Sequence, residues 1–494
     1  MSEAQFTRHP APPVLLSEIC ARLGIPAVAG SVTGVSLSSS AVQPGDLYAA
    51  LPGARTHGAH YAAQAVTAGA AAILTDEPGA SLVDVDVPVL VCADPRGRLG
   101  EVSALVYGDP STRLQTFGVT GTNGKTTVTY MLAAALEALG SPVGLIGTTG
   151  TYIGGRRLPT VRTTPEAPDL QALMCQMVDE DVLALAMEVS SHALVLGRVD
   201  GITFDVAAFT NLSPDHLDFH QTMEEYFAAK SSLFTPMRSR RAVINTDDEW
   251  GRRLAGSTDV PHVTYAVSGP ADWTVRSVTA DASGSVFQAV RGRTEVSVRV
   301  GSPGLFNVAN ALCALAMLVA GGHAADSAAA ALSSFHGVPG RMEVVGDQPA
   351  VIVDYAHTPD AVERALRAIA DLTQGRIWCV IGCGGDRDAV KRPAMGEIAA
   401  RLADHLVVTD DNPRSENPAD IRAAVLRGAH RVAGADVTEI GDRSRAIHAV
   451  VGAASPQDTV IILGKGHETG QEIAGVVHPF DDRDVARAAM GERT

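Results

Sequence analysis

Lysine is nearly absent from this chain of 494 residues: the 39 basic residues include only Lys125, Lys230, Lys391 and Lys465, and arginine carries the rest of the positive charge. An ammonium can lose its proton and be modified, whereas guanidinium is a permanently charged fork, so a chain this biased keeps lysine where arginine cannot substitute. Cysteine is scarce as well. Cys20, Cys92, Cys175, Cys313, Cys379 and Cys383 show no C-x-x-C spacing, which argues against both a zinc site and a disulfide framework. Excess positive charge is missing: the formal net charge is -16, too acidic to neutralise a phosphate backbone, so no nucleic-acid partner is expected. Long hydrophobic runs are missing too. Arg8 and His9 precede no apolar stretch, and the longest apolar helical run, 309–320, is too short to span a bilayer, so a cytoplasmic protein without integral membrane contact is expected.

What remains is ordinary globular material, 46% hydrophobic and 19% charged, long enough for roughly two to four domains. Short apolar runs at 32–37, 46–51, 71–75 and 87–92, with a helical stretch at 62–68, predict a small α/β domain over residues 1–112, closed by the turn-rich Gly-Asp-Pro-Ser-Thr ending at Thr112. A second domain, 113–340, opens with a strand at 114–119 and a helix at 126–139, continues through strand-like runs at 183–189, 206–210 and 242–245, and makes a small antiparallel excursion at 260–300 before a helix at 307–319. The third, 341–494, alternates buried-type strands (351–353, 377–381, 406–409, 460–463) with helices (359–372, 393–402), which predicts a parallel sheet. Each of those strands runs directly into a polar or Gly-rich loop, and ligands of open α/β sheets bind beyond the strand carboxyl ends, so four loops are expected to share one rim.

Thr120-Gly-Thr-Asn-Gly-Lys-Thr-Thr127, between a predicted strand and a predicted helix, reads as a phosphate loop and implies ATP. Gly121, Thr122, Asn123, Gly124, Lys125, Thr126 and Thr127 would wrap the phosphates with backbone N–H groups, add a cation and offer the Thr126 hydroxyl to Mg²⁺. Val119 stands where the strict pattern has its first glycine. Glu188, at the end of an apolar run in MEVSSH, is placed to supply a metal carboxylate. His216 in NLSPDHLDFH reads either as a second ligand or as a residue that orders its loop. Lys230 in EEYFAAKSSLF reads, from its residues alone, as a surface lysine.

Taken in order, TGTNGKTT, MEVSSH, TNLSPDHLD, AAK, NVAN, the arginine at 341, DYAHTPD, GCGGDRD, DNPR and GKGHE resemble the Mur ligase family along the whole chain. The resemblance implies three domains: a small N-terminal α/β domain for the UDP end of the substrate, a central P-loop ATPase-type domain with a parallel sheet, and a C-terminal Rossmann-like domain for the amino acid. It implies ATP and Mg²⁺ as cofactors, and UDP-N-acetylmuramoyl-L-alanyl-D-glutamate and meso-2,6-diaminopimelate as substrates; a monomer is expected. The γ-phosphoryl would pass to the glutamyl carboxylate and the amine would displace phosphate, with Lys125, magnesium and Arg341 balancing the charge. Lys230 becomes a carbamylated lysine, a carboxylate beside a second magnesium with Glu188 and His216, which reverses its reading as a surface residue.

The same correspondence puts Asn307 and Asn310 near adenine, and Arg341 and Asp354 near ribose and terminal phosphates. Thr163, Thr164, Ser190 and Arg198 would hold the muramyl peptide, and Leu37 and Ser39 the uridine. Ser38-Ser39-Ser40 replaces the family's Asp-Ser-Arg, and Leu196 a frequent glutamine. At the third-domain rim, Asp411, Asn412, Pro413 and Arg414 form the DNPR turn, and a guanidinium pairs bidentately with a carboxylate, so Arg414 favours diaminopimelate over lysine. Arg387 is expected on the second carboxylate, and Gly464 with Glu468 on the distal ammonium. The rivals are a lysine-adding, D-Ala-D-Ala-adding or folylpolyglutamate ligase, and a nucleotide-switched binding protein that ligates nothing.

Overall fold

The computed structural model describes residues 8–492 apart from 54, 159–161, 282–283, 303 and 371. Val161, the first residue of VRTTPE, lies outside the described residues.

Three parallel-sheet units follow one another along the chain. In the first, strands Gly34–Ser36, Asp46–Ala49, Ala72–Thr75 and Val89–Val91 pair in sequence order, all parallel. Leu47, Leu74 and Leu90 pack on one face with helices Leu16–Leu23 and Pro95–Val106, while Tyr48 and Ile73 face the helix Ala62–Thr67. Arg8 is buried there against Asp46 at 2.5 Å. A charge taken out of water needs such a partner.

The second unit is built on an eleven-stranded sheet in which the strand Gln115–Thr120 is flanked by parallel neighbours Ala184–Glu188 and Val206–Phe209. The antiparallel excursion expected near 260–300 is no separate module. Strands Trp273–Asp281, Gly284–Arg291 and Thr294–Val300 continue the same sheet to its edge, because Tyr265 and Ala266 pair in parallel with Trp273 and Thr274. The helix Leu305–Ala320 lies across this sheet with eleven of its sixteen residues buried, beside the helix Lys125–Ala138. The opposite edge, Val143–Gly147, Gly150–Ile153 and Arg156–Leu158, carries no clear apolar alternation and is invisible to periodicity.

In the third unit, Ala350–Asp354, Thr459–Leu463, Ile377–Ile381, His405–Val408 and Asp436–Glu439 lie side by side in parallel, and Glu343–Asp347 adds an antiparallel edge. The α/β fold expected from the sequence therefore holds in all three parts. No described helix is long and apolar enough to cross a membrane.

Candidate active site

The phosphate loop leaves Gln115–Thr120 at Gly121 and enters the helix Lys125–Ala138 at Gly124. Both glycines are required by position. Gly121 has φ 147° and a Cβ there would stand 1.9 Å from Thr210 Oγ1, while Gly124 has φ 89° and a Cβ would meet Asn310 Oδ1 at 2.4 Å. Val119, where the strict motif has glycine, belongs instead to the buried end of the strand, so the loop begins two residues later. The segment after Phe209 braces it. Thr122 N donates to Asn211 O (2.9 Å), Asn123 N to Asn211 Oδ1 (2.9 Å), and Ser213 N to Thr122 Oγ1 (3.0 Å).

Lys125 Nζ donates to Gly121 O and Thr122 O at 2.9 and 2.8 Å. Lys230, expected at the surface from its residues alone, is 1% exposed and donates to Gly121 O at 2.7 Å from the end of the helix Met223–Ser231. Burial, reinforced by the charge of Lys125, holds its pKa well below that of a free lysine. A neutral amine is thus favoured where the sequence placed a modifiable lysine. Glu188 is fully buried at the end of Ala184–Glu188 and takes Thr148 N (2.7 Å) and Thr148 Oγ1 (3.1 Å). His216 has φ 54° and a side chain 46% exposed, with Nε2 at 3.5 Å from Asp215 Oδ2; burial of part of the ring lowers its pKa to about 4.

Among the described residues no group of three His, Cys, Asp or Glu side chains converges as a metal cage. The expected set of Thr126, Glu188, His216 and Lys230 holds only two side chains of those types, Glu188 and His216, and Lys230 supplies an anionic oxygen only as a carbamate. One buried carboxylate and one hydroxyl nonetheless suit Mg²⁺, which takes few protein ligands and fills its octahedron with waters and substrate phosphate oxygens.

A cavity of about 830 Å³ extends from the loop between the second and third units, lined by Asn123, Gly124, Thr127, Asn307, Asn310, Arg341 and Asp354. Asn310 Nδ2 donates to Asn307 Oδ1 at 3.3 Å. Arg341 reaches across the junction: Nη2 donates to Thr126 Oγ1 at 3.3 Å, the guanidinium lies 4.3 Å above the Tyr355 ring, and Nε is buried without a hydrogen-bond partner. Such an orphan donor beside the phosphate loop suits an anionic oxygen. Asp354 accepts Met342 N and Ala356 N, both at 2.8 Å, and its pKa is raised by burial against the opposing pull of Arg341.

Of the expected peptide site, Thr164 Oγ1 donates to Glu188 O (2.8 Å) and accepts Ser190 N (3.2 Å), while Arg198 Nη1 donates to Thr164 O (3.4 Å). Thr163 Oγ1 is 3.3 Å from Thr148 Oγ1. These four residues come together beside Glu188. Leu37 and Ser39 lie apart in the first unit, Leu37 packed on its core and Ser39 donating to Gln64 Oε1 at 3.1 Å.

At the third-unit rim, Arg414 has φ 53°, its Nη1 donates to Gly385 O (2.6 Å) and its Nε lies 3.3 Å from Glu472. Pro413 O supports the same turn by accepting Glu416 N at 3.0 Å. Asn412 Nδ2 donates to Glu468 Oε2 (2.7 Å), and fully buried Lys465 donates to Asn412 Oδ1 (2.9 Å), with Asp411 at 3.7 Å. Gly464 N donates to Asp354 O at 3.1 Å, which joins this rim to the cavity between the second and third units. Arg387 is exposed on the loop above. Burial, aided by Asp411, raises the pKa of Glu468.

Several residues of the site escape a reading by motif roles. Asp215, 8% exposed, lies in the quoted DHLD stretch and Lys465 in the quoted GKGHE stretch, while Lys391 is marked only by the scarcity of lysine. Asp360, whose Oδ2 takes Asn123 Nδ2 at 2.9 Å across the junction, closes the quoted DYAHTPD stretch, where no role is read for it.

The chain matches the Mur ligase family catalytic domain over residues 31–107, the Mur ligase middle domain over 119–318 and the Mur ligase glutamate ligase domain over 340–466. It is 51% identical to the UDP-N-acetylmuramoyl-L-alanyl-D-glutamate--2,6-diaminopimelate ligase of Streptomyces coelicolor, covering 96% of each chain. It is 47% identical to a UDP-N-acetylmuramyl-tripeptide synthetase of Leifsonia xyli, over 93% of this chain and 92% of that one. Among solved structures, a UDP-N-acetylmuramoyl-L-alanyl-D-glutamate--2,6-diaminopimelate ligase superposes with a TM-score of 0.69 at 32% identity, covering 98% of this chain and 99% of that one. Matched by three Mur ligase domain models in order and by relatives over nearly its whole length, this chain belongs to the Mur ligase family.

Proposed function

We infer that this chain is an ATP-dependent acid–amino-acid ligase that adds meso-2,6-diaminopimelate to the D-glutamyl carboxylate of UDP-N-acetylmuramoyl-L-alanyl-D-glutamate, releasing ADP and phosphate. The observation that carries the reading is the contact from Arg341 to Thr126 across the junction. It puts a cation of the amino-acid unit on the phosphate loop, as a reaction between a phosphorylated acceptor and an amine requires. The relatives' names agree with this reaction.

The residues divide the work by charge. Lys125 and the loop amides would hold the β- and γ-phosphates, and Arg341 would meet the charge that spreads over the transferred phosphoryl. The γ-phosphorus is attacked by a glutamyl carboxylate oxygen, ADP leaves, and the diaminopimelate amine then attacks the acyl carbon, expelling phosphate and losing a proton. Thr164, Ser190 and Arg198 would orient the peptide, Asn307 and Asn310 the adenine. Mg²⁺, held through Thr126 and Glu188, would supply Lewis-acid stabilisation of phosphate oxygens. Lys230 in its neutral form can take up CO₂ as a carbamate, the extra anionic ligand that an unmodified lysine cannot offer. Leu37 and Ser39 would meet the uridine end.

Arg414, anchored by Gly385 O and Glu472, would pair with a diaminopimelate carboxylate, and Arg387 with the other. Glu468 and the Gly464 backbone would receive the distal ammonium. Lysine lacks that carboxylate and would leave a charge unmatched. A turnover assay with the UDP-dipeptide and diaminopimelate, lysine or ornithine tests the reading. Amide formation with diaminopimelate alone is expected; preferential use of lysine would overturn the specificity, and phosphate release independent of both substrates would favour a nucleotide switch.

A further inference from the structure

One acidic side chain interacts electrostatically with three of the four lysines. Asp215, 8% exposed, feels the charges of Lys125 and Lys230 of the phosphate site, of His216 beside it, and of His357 and Lys391 of the third unit. Lys391 Nζ lies 3.9 Å from Asp215 Oδ1, and its side chain is 18% exposed.

Each partner is the end of a chain of contacts. Asp215 closes the segment that braces the phosphate loop, through Asn211 to Thr122 and Asn123 and through Ser213 to Thr122. Lys391 opens the helix Lys391–Leu402 and ends the loop after Ile377–Ile381. That loop is tied to the DNPR turn, since Gly385 N donates to Asn412 O (2.8 Å) and Gly385 O accepts Arg414 Nη1 (2.6 Å). Asp215 and Lys391 therefore join the phosphate cradle to the loop that grips Arg414.

We propose that Asp215 and Lys391 form the coupling contact of the ligase, and that Lys391 is a positioning residue which locks the amino-acid loop against the phosphate cradle once both are occupied. The proposal rests on the ligase reading given above. A partly desolvated ion pair exists only while the two units are closed, so its energy adds to closure and excludes water from the junction. The acyl phosphate needs that protection. Water attacking the acyl carbon in place of the amine breaks the same carbon–oxygen bond, giving back the carboxylic acid and free phosphate, so ATP is consumed without an amide. Arg341 and Asp360 also bridge the units, through hydrogen bonds with Thr126 and Asn123.

The test compares the full-length protein with Lys391→Met, Lys391→Arg, Asp215→Asn and the Lys391→Met/Asp215→Asn double variant, measuring phosphate released per amide formed, KM for diaminopimelate, nucleotide affinity and melting temperature. One phosphate per amide is expected for the unaltered protein and for Lys391→Arg. For Lys391→Met the ratio should at least double and KM for diaminopimelate rise about tenfold, with nucleotide affinity held within about twofold. The double variant should be no worse than the poorer single one, as for residues acting through one contact. A ratio of one with unchanged KM in Lys391→Met overturns the proposal, as do additive losses in the double variant. So does a fall in melting temperature and nucleotide affinity together, which marks a structural strut. If the unaltered protein makes amide while Lys391→Met behaves like it, the coupling alone fails; if the unaltered protein makes none, the ligase reading fails with it.

Discussion

Lys125 and Lys230 donate to one and the same backbone oxygen, Gly121 O, at 2.9 and 2.7 Å. Two ammonium groups on a single carbonyl repel one another. Burial and the neighbouring charge of Lys125 push Lys230 towards its neutral form, so of the two it is the one prepared to react.

Lys230→Arg should therefore remove turnover by about two orders of magnitude or more, because guanidinium keeps its charge and forms no stable carbamate. Nucleotide binding should survive within a few-fold. Native mass spectrometry at neutral pH reads the cause directly: the unaltered protein gains one CO₂, and the arginine variant gains none.

Arg414→Ala should raise KM for diaminopimelate by about 10²-fold while ATP affinity stays close to that of the unaltered protein, since the guanidinium serves the amino-acid rim and not the cavity. Substrate-dependence kinetics check this. Unchanged use of diaminopimelate would remove Arg414 from the site.

Gly124→Ala is expected to weaken nucleotide binding by about tenfold or more. The added methyl meets Asn310 Oδ1, and the positive φ disfavours any side chain. Titration with a nucleotide analogue measures it, and Gly140→Ala, also at positive φ but with open space around it, controls for backbone strain alone.

Acid should destabilise the protein before its carboxylates protonate. Burial lowers the pKa of His220 and His357 to about 4 and of His467 to about 3, against a free value of 6.5. Between these values the unfolded chain binds more protons than the folded one, so stability is complete above about pH 6.5 and falls as the pH drops towards 4. Melting temperature against pH should show that slope, and His220→Gln should flatten it.

Arg443 and Asp482 form a fully buried bidentate pair at 2.7 Å, and Arg443 also donates to Leu463 O at 2.9 Å, just before Gly464. Removing one partner strands the other charge, so Arg443→Met should cost about 3–5 kcal/mol in denaturant unfolding. Arg443→Met with Asp482→Leu should recover much of that loss.

Much of the fold was legible because its signals are local. The buried strands at 377–381 and 460–463 are continuous apolar runs closed by polar loops, and the helix after Gly124 shows apolar spacing. The edge strands 143–147, 150–153 and 156–158 were not legible, since glycine-rich and two-sided strands carry no period. Neither was the continuation of the sheet through 273–300, because pairing between Tyr265 and Trp273 is a long-range choice.

The sequence by itself determined the chemistry available: a phosphate loop of fixed order, a chain that keeps only four lysines, and an arginine in a DNPR turn able to fork onto a carboxylate. Composition and spacing express these because each depends on residue type or on neighbours along the chain. Tertiary structure alone decided that Lys230 is buried against Gly121, that Arg341 crosses to Thr126, and that Asp215 meets Lys391. Those contacts join residues far apart in sequence, and their charges acquire direction only when the packing of three sheets removes water and fixes which groups face one another.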